Sequence, residues 1–363
     1  MSIVIFLVIL LLLVLVHEFG HFFSAKKFGI RVDEFGFGFP PKIFGIKKGE
    51  TEYSFNLLPI GGFVKIFGEN PDEENTNGPD KERSFINKPK WQQAIVLFAG
   101  VFMNFMLAWV LFSFGFISGL PTSVASGARE YEVTDVHLVV ISVAPNSPAL
   151  QAGLQSGDKI ISVNNGEAEL NPINPETLKS FITSGGGKEI EIGYLRGENT
   201  RIVKVIPEIA DSGEAMIGIS MDQIGIAKLS ILQAFWEGMK LTLAMTKGTA
   251  VGLYTLIADS FSGQGSFTAV VGPVGMVGIV GDAYDLGISY LLSFAALISI
   301  NLAIINLLPF PALDGGRLFF LLIEKIKGSR INPQVANIAN MAGFAILILL
   351  MVAVTWHDVS KLL

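Results

Sequence analysis

The chain alternates between long apolar stretches and segments that mix polar and apolar residues. Some of the apolar stretches are long enough to cross a hydrocarbon core of about 30 Å, which takes roughly 20 helical residues. They predict four transmembrane helices, over residues 3–23, 92–118, 289–308 and 336–356. Residues 228–262 also have apolar residues at helical spacing, but charged side chains such as Lys240 and Lys247 interrupt them. That pattern favours an amphipathic helix on the outer membrane surface, or against the domain that precedes it, rather than a fifth span. The Gly-rich run that follows, at 272–281, indicates turns and close backbone packing.

Two other segments show β-patterns. Residues 124–222 contain short alternating strands separated by turn signals, with room for two short helices, which predicts an α+β domain. Residues 31–39 and 52–67 also predict strands, and the second of these has a Pro-Ile-Gly-Gly turn between apolar halves. It is too short to span a membrane and predicts a hairpin that enters the membrane edge.

The composition agrees with a membrane protein, since 50% of the residues are hydrophobic and 16% are charged. The net charge of −6 argues against nucleic acid as a partner. The sequence has no cysteine, which excludes disulfides and thiolate metal sites. The first apolar stretch is not typical of a cleaved signal peptide, because no Lys or Arg precedes it and no small-x-small site follows.

The basic residues of the short loops predict the orientation. Residues 24–91 carry eleven Lys and Arg, and residues 311–335 carry four. Because basic short loops stay in the cytoplasm, both termini and the domain at 124–222 are expected outside it. The ends of the first and third spans that meet these basic loops are therefore expected near the cytoplasmic side of the membrane.

Residues 17–21, HEFGH, form an H-E-x-x-H motif at the end of the first span. On a helix, His17 and His21 lie on one face and can bind the same metal ion. Glu18 lies beside them, where it can act as a general base and acid on water. The motif follows sixteen uncharged residues, and ionisable groups inside a span are costly and usually functional.

A catalytic zinc ion usually has three protein ligands, so one is still to be found. Asp314 stands at the end of the third span in NLLPFPALDGG and is the candidate. His137 and His357 are expected on the other side of the membrane. The hypothesis is therefore one Zn²⁺ per chain, held by His17, His21 and Asp314.

Other interpretations compete with this one. H-E-x-x-H also occurs as an ordinary charged helix face. A membrane transporter that binds a metal would explain the ligands but not Glu18. A receptor without catalytic activity would need neither HEFGH nor the NLLPFPALDGG motif. A serine or aspartyl intramembrane protease would need a G-x-S-G or G-x-G-D motif in a span, and neither is present.

The predicted hairpin offers candidate substrate contacts. An extended substrate can add to its edge as a further strand, which would unwind a helical substrate for attack. The residues singled out are Tyr53, Phe55, Asn56, Leu57 and Leu58. The alternative is a β-layer that only plugs the cytoplasmic side. The acidic stretch 69–80 is expected to be a solvated loop.

Residues 146–165, NSPALQAGLQSGDKIISVNN, resemble the core signature of bacterial PDZ domains. By that resemblance, Met216, Ile217, Gly218 and Ile219 would form a loop that captures a peptide carboxyl terminus or backbone. The alternative is a PDZ domain that only shields the active site from bulky substrates.

HEFGH together with N-x-x-P-x-P-x-L-D-G at 306–315 resembles the site-2 protease family, and the outer domain resembles its RseP-like branch. The resemblance implies a zinc metalloendopeptidase that cuts transmembrane segments of single-pass proteins, such as anti-sigma factors and remnant signal peptides. It also implies that an upstream site-1 protease cuts the same substrate first. It also implies that Asn306 contacts the substrate backbone or the oxyanion. Gly100 and Asn104 resemble the family's G-x-x-x-N, with helix packing as the expected role. The resemblance further implies a bacterial inner (plasma) membrane, with the active site near its cytoplasmic side. The single PDZ domain departs from the tandem pair of enterobacterial members.

The predicted fold is a polytopic α-helical membrane protein with a membrane-associated β-hairpin region and an inserted extracytoplasmic α+β PDZ domain. The expected segments are 1–28 (first span), 29–90 (β region), 91–119 (second span), 124–222 (PDZ domain), 228–287 (amphipathic helix and Gly-rich connector), 288–316 (third span and LDG motif) and 336–357 (fourth span).

Overall fold

The computed structural model describes residues 1–70, 73–124, 131–185, 187–209, 213–262 and 271–360. They form two compact units. The helical unit comprises residues 1–114, 235–284 and those from 291 onward, and the sheet unit comprises 115–234 and 285–290. Parts of three predicted segments, 69–80, 124–222 and 228–287, lie outside the described residues.

The α-helices of the described chain are α1 (Ser2–Lys27), α2 (Glu73–Asn77), α3 (Lys90–Ser118), α4 (Pro148–Gln151), α5 (Pro175–Gly185), α6 (Ile231–Phe261), α7 (Pro273–Leu286), α8 (Ile288–Leu307), α9 (Asp314–Lys327) and α10 (Pro333–Ser360). Short 3-10 turns lie at Lys81–Arg83 and Phe85–Asn87. The strands are β1 (Val32–Lys48), β2 (Thr51–Ile66), β3 (Leu120–Ser123), β4 (Thr134–Val143), β5 (Lys159–Asn164), β6 (Ile190–Arg196), β7 (Asn199–Val205), β8 (Glu208–Ile209), β9 (Ala215–Met216) and β10 (Ile219–Ala227).

Within the described chain, five helices are long and apolar enough to cross a membrane: α1, α3, α6, α8 and α10. The helix α6 is the one that the sequence interpretation assigned to the membrane surface. Its 31 residues correspond to roughly 46 Å of helix. Glu237 accepts a hydrogen bond from Lys240 at 2.8 Å, and pairing lowers the cost of charges in an apolar helix. The predicted count of four spans is therefore not confirmed.

The helices α1 and α3 pack closely through small residues. The buried face of α1 includes Leu13, His17, Gly20, His21 and Ser24, which repeat at helical spacing. At Gly20 the two backbones approach so closely that a Cβ atom would lie 2.4 Å from the carbonyl oxygen of Ala99. Apolar burial drives little helix association within lipid, so such close backbone contact is what holds two spans together.

The strands β1 and β2 form a sheet in which each strand bends back on itself. Residues 34–37 have two sets of partners, at 62–65 and at 52–55, while residues 42–48 pair with 51–56. Residues 52–55 therefore lie between two paired segments, and Gly62–Ile66 lies at an edge of the described sheet. Leu15 of α1 contacts Gly62, which places this edge against the first helix.

The turn between β1 and β2 is tied to the end of α1. Glu50 accepts hydrogen bonds from Lys26 and Arg83, both at 2.5 Å. The hydrogen bond from Lys26, with that from Arg83, outweighs partial burial and lowers the pKa of Glu50. The carboxylate therefore stays ionised over a wider pH range and keeps the turn attached to the helix.

The sheet unit contains an antiparallel sheet with the strand order β3-β10-β4-β5-β6-β7. Its core includes Leu154, Leu178, Ile190 and Ile192, none of which is exposed. Burying each such side chain contributes about 1.5–3 kcal/mol, so the sheet unit is stabilised by a core of its own.

The Gly-rich stretch at 272–281 is helical, whereas its glycines had indicated turns and close packing. The N-terminus of α7 is capped by Asp358, whose carboxylate accepts the N–H groups of Gly272 at 3.1 Å and Gly275 at 2.9 Å. Gly281 lies against Ser2 at the start of α1. Because both partners come from distant parts of the chain, the local composition could not indicate the helix.

The acidic stretch at 69–80 is not merely a solvated loop. It contains α2, and Asp80 accepts a hydrogen bond from Arg31 at 2.6 Å. Glu69 accepts one from Arg317 of α9. The acids therefore attach this segment to the β region and to α9.

Candidate active site

His17 and His21 lie one helical turn apart on the buried face of α1. Both side chains are buried, and the two rings meet edge to face with centroids 4.8 Å apart. The helix α3 comes close at Gly100, where a Cβ atom would lie 2.4 Å from His21 Nε2 and 2.8 Å from His17 Cε1. Gly100 thus leaves room for the imidazoles, and a larger residue there would displace them.

Asp314 is the first residue of α9 and follows a tight turn after α8. Ala312 has a φ of 77° in this turn, a conformation that L-residues rarely adopt, and its N–H donates to Asn340 Oδ1 at 3.2 Å. A Cβ atom at Gly315 would lie 2.2 Å from the carbonyl oxygen of Leu308. The turn therefore depends on glycine after Asp314, and the resulting backbone directs the carboxylate at α1.

The three predicted ligands meet. His17 Nε2 lies 3.0 Å from Asp314 Oδ2, His21 Nε2 lies 3.3 Å from the same oxygen, and the two nitrogens are 3.2 Å apart. Tetrahedral zinc with ligands at about 2.0–2.1 Å has ligand atoms roughly 3.3 Å apart. The three donor atoms therefore fit three corners of a zinc site, with the fourth corner left for water or substrate.

The tautomer of His21 also suits a metal ligand. Its Nδ1 lies 2.8 Å from the carbonyl oxygen of Val96, and since a carbonyl only accepts, Nδ1 carries the proton. The lone pair of Nε2 is then free and faces the other two donors. A backbone acceptor on the second ring nitrogen is a common support for zinc-binding histidines.

Glu18 opens into the same space as the three donors. The cavity has a volume of about 320 Å³. Glu18 is partly buried, and Val64 of β2 lines the same cavity. The cavity is lined by Val14, His17, Glu18, His21, Phe63, Val64, Ile66, Glu69, Asn104, Leu302, Asn306, Ala312, Leu313, Asp314 and Arg317.

The predicted substrate contacts fall in two places. Asn306 lines the cavity from α8. Tyr53, Phe55, Asn56, Leu57 and Leu58 are not among the lining residues. Tyr53 and Phe55 are paired on both sides, whereas Asn56 and Leu58 are each paired on one side, with Lys42 and Phe39. The part of β2 that does line the cavity is the edge segment Gly62–Ile66.

Sequence reasoning missed several residues of the cavity. Gly100 and Asn104 were expected to serve helix packing, yet both contact the histidine rings. Arg317 and Glu69 pair at the cavity wall, and both also line a second cavity of about 170 Å³ that extends to α10. Arg317 had only a weak signal in the sequence, because a charged residue one turn after Asp314 is common in the first turn of a helix.

The predicted peptide-binding loop lies at the start of β10. Ile217 is 1% exposed and belongs to the core of the sheet unit, while Ile219 pairs with Val143 of β4. Gly218 has a φ of 78°, and Met216 is 44% exposed. Because β3 pairs with residues 224–227 of β10, residues 219–222 have a described strand on one side only.

Two histidines one turn apart, an adjoining glutamate and a third acidic ligand, carried on apolar helices, define the site of a membrane metallopeptidase. Comparison with known proteins agrees. Residues 5–350 match the model of peptidase family M50. The chain therefore belongs to peptidase family M50, the family of the site-2 proteases.

Relatives match along nearly the whole chain. A protein of Clostridium perfringens is 35% identical over 96% of this chain and 95% of its own length. The zinc metalloprotease RasP of Shouchella clausii is 31% identical over 98% of both chains. The regulator of sigma-W protease RasP of Bacillus subtilis is 31% identical over 99% of both. This protein is a multi-pass intramembrane zinc metalloprotease, and zinc is its cofactor.

Among solved structures, the PDZ domain of an SdrC-like protein from Listeria monocytogenes matches with a TM-score of 0.21 and 24% identity. That match covers 25% of this chain and 92% of the domain.

Proposed function

We propose that this protease hydrolyses peptide bonds within or beside the transmembrane segments of single-pass membrane proteins. In this proposal His17, His21 and Asp314 hold the zinc ion, and Glu18 is the general base and acid. The observation that carries it is the convergence of three donor atoms, 3.0–3.3 Å apart, beside a glutamate on an apolar helix.

Each residue has a role in the hydrolysis. When bound, zinc supplies a Lewis acid that polarises the scissile carbonyl and lowers the pKa of water. Glu18 takes a proton from the attacking water and delivers it to the leaving amide nitrogen. Asn306, on the α8 side of the cavity, hydrogen-bonds the substrate backbone or the developing oxyanion. The apolar surroundings strengthen these polar contacts, because they are not shared with bulk water.

We further propose that the substrate binds in an extended form beside Gly62–Ile66. This segment is at the edge of the described sheet, and its residues Phe63, Val64 and Ile66 line the cavity together with Glu18. Adding a strand there satisfies the backbone groups that a helical substrate exposes when it unwinds. In this proposal the hairpin contacts the substrate, as expected from its sequence, through Gly62–Ile66. Contacts by Tyr53, Phe55, Asn56, Leu57 and Leu58 stay a prediction.

The substrates that fit this proposal are anti-sigma factor-like proteins and remnant signal peptides. One relative is named as the regulator of sigma-W protease, which supports the first class. An upstream site-1 protease would act first and remove the outer part of the substrate, as in regulated intramembrane proteolysis.

The topology is also part of the proposal. The basic short loops at 24–91 and 311–335 favour a cytoplasmic side for the zinc site, with the termini and the sheet unit extracytoplasmic. The sheet unit would act as a PDZ domain of the bacterial type. It would either capture a peptide along residues 216–222 or exclude substrates whose outer domain is intact.

The test compares the full-length wild type with Glu18→Gln on a single-pass model substrate in liposomes, with zinc content measured on both proteins. Removing a general base costs about 10²- to 10⁴-fold in rate, so Glu18→Gln should lose detectable cleavage. Its zinc content should match the wild type, because Glu18 is not a ligand.

The matched control is Glu198→Gln, which makes the same change on an exposed turn between β6 and β7 and should cleave like the wild type. Retained cleavage by Glu18→Gln would refute its role. Equal zinc content in wild type and His17→Ala would refute the ligand assignment. Bound zinc without cleavage of several substrates would favour transport or client binding.

A further inference from the structure

Asn104 is a fully buried amide that points at a zinc-binding histidine. It lies on α3 one turn after Gly100, has no exposed surface, and lines the cavity. Its Nδ2 lies 3.4 Å from Nδ1 of His17. Ser299 Oγ donates to the backbone oxygen of Asn104 at 2.8 Å, so the residue is held from α8 as well. Burying an amide in an apolar helix is unfavourable unless its polar atoms are hydrogen-bonded.

The orientation with Nδ2 towards His17 conflicts with metal binding. If Nδ2 donates to Nδ1, then Nδ1 is the acceptor, and the single proton of a neutral ring lies on Nε2. That nitrogen faces Asp314 Oδ2 at 3.0 Å and His21 Nε2 at 3.2 Å, where a zinc ligand needs a free lone pair. The same orientation leaves Asn104 Oδ1 buried with no hydrogen-bond donor among the described residues.

A half turn of the carboxamide removes the conflict with metal binding and gives Oδ1 a donor, while Nδ2 moves to the side where Oδ1 had no partner. Nitrogen and oxygen exchange places with almost no change in volume. Oδ1 then accepts the Nδ1–H of His17, and Nε2 keeps its lone pair for the metal. The orphaned acceptor gains a partner by the same movement.

The two histidines are then supported in the same way by the same helix. His21 donates to the Val96 carbonyl, and His17 donates to the Asn104 side chain. Val96 and Asn104 are eight residues apart on α3, about two helical turns, and Gly100 between them leaves space for the rings. The backbone supplies the first acceptor regardless of the side chain, whereas the second depends on the residue at position 104.

We propose that Asn104 is a positioning residue for the zinc site, whose Oδ1 accepts the Nδ1–H of His17 and holds the ring in the tautomer that binds metal through Nε2. The inference rests on the zinc ligands assigned above. It gives the G-x-x-x-N sequence a chemical role in addition to helix packing: the glycine makes room for both imidazoles, and the asparagine selects the tautomer of His17.

The test measures zinc affinity of the full-length protein in detergent by competition with a chelator, together with the visible spectrum of the Co²⁺-substituted protein. Asn104→Leu keeps the size but removes the acceptor, and should weaken zinc binding about 10- to 100-fold and change the Co²⁺ spectrum. Asn104→Asp keeps an acceptor at the same place and should bind zinc at least as tightly as the wild type. Thermal unfolding without metal verifies that both variants are folded.

The matched control is Asn306→Leu, the same change at the other asparagine of the cavity, which should leave zinc affinity unchanged. Wild-type affinity and an unchanged Co²⁺ spectrum in Asn104→Leu would overturn the inference, as would equal loss in Asn104→Asp and Asn104→Leu. Wild-type affinity in His17→Ala would instead overturn the ligand assignment, so the two failures are distinguishable.

Discussion

The two sides of the proposed zinc-ligand cluster are built differently. His17 and His21 come from a regular helix, where the spacing of four residues places both rings on one face. Asp314 comes from a turn that contains a left-handed alanine and is packed against carbonyl oxygens at Gly315 and Gly316. The two sides share a dependence on glycine, but for different reasons: Gly100 makes room for side chains, and Gly315 makes room for the backbone.

This difference predicts how each side fails. A change at the helix side displaces two ligands together, because both rings lie against the same position of α3. A change at the turn displaces one ligand and leaves the histidine pair intact. A change that only relieves the backbone strain at Ala312 should displace none of the three ligands.

The largest effect is expected from Gly100→Ala. The added Cβ would lie 2.4 Å from His21 Nε2 and 2.8 Å from His17 Cε1, so both rings must move. Zinc affinity should fall by about 100-fold or more, and overpacking should destabilise the fold by about 1–3 kcal/mol. Chelator competition and thermal unfolding in detergent measure the two effects. The matched control is Gly278→Ala on α7, where the added Cβ meets nothing within 4 Å. It should lower neither the zinc affinity nor the stability of the fold.

A smaller effect is expected from Gly315→Ala. The Cβ would lie 2.2 Å from the Leu308 carbonyl oxygen, so the turn must shift and carry Asp314 with it. Because two ligands remain, zinc affinity should fall by about tenfold. The same chelator assay measures this loss. If Gly315→Ala lost more zinc affinity than Gly100→Ala, the expected difference between the histidine side and the Asp314 turn would be contradicted.

The smallest effect is expected from Ala312→Gly. Glycine adopts the φ of 77° without the penalty of about 1–2 kcal/mol that a left-handed L-residue carries. The greater freedom of glycine in the unfolded chain offsets about 0.4–1 kcal/mol of that gain. The protein should unfold at a slightly higher temperature with unchanged zinc affinity. A clear drop in zinc affinity would show that the strained conformation itself positions Asp314.

The sequence predicted the structure best where helices and strands follow a local periodicity of apolar residues. The segments around HEFGH and LDGG, and the strands of the sheet unit, follow local apolar patterns, and the structure has helices and strands at these places. The prediction was weakest where the partner is distant in sequence. The helix α7 is capped by Asp358 from α10, and its glycine content indicated turns instead.

The β region illustrates a second limit. The alternating apolar residues at 52–67 indicated strands, but they did not show which part lies at the sheet edge. That depends on the pairing of residues 34–37 with two segments at once, which is a property of the folded sheet. Arg317 and Glu69 are a similar case, since an ion pair between residues so far apart has no local signature.

The sequence by itself determined the chemistry of this protein: a paired-histidine helix with a glutamate, a distant aspartate, apolar spans and membership in a protease family. These follow from residue type and from spacings within one or two helical turns. Only the tertiary structure decided the distances of 3.0–3.3 Å among the ligand atoms, the edge segment beside Glu18, and the hydrogen-bond acceptors that α3 offers to both histidines. Each of these depends on two helices or strands meeting at close range, which local sequence does not encode.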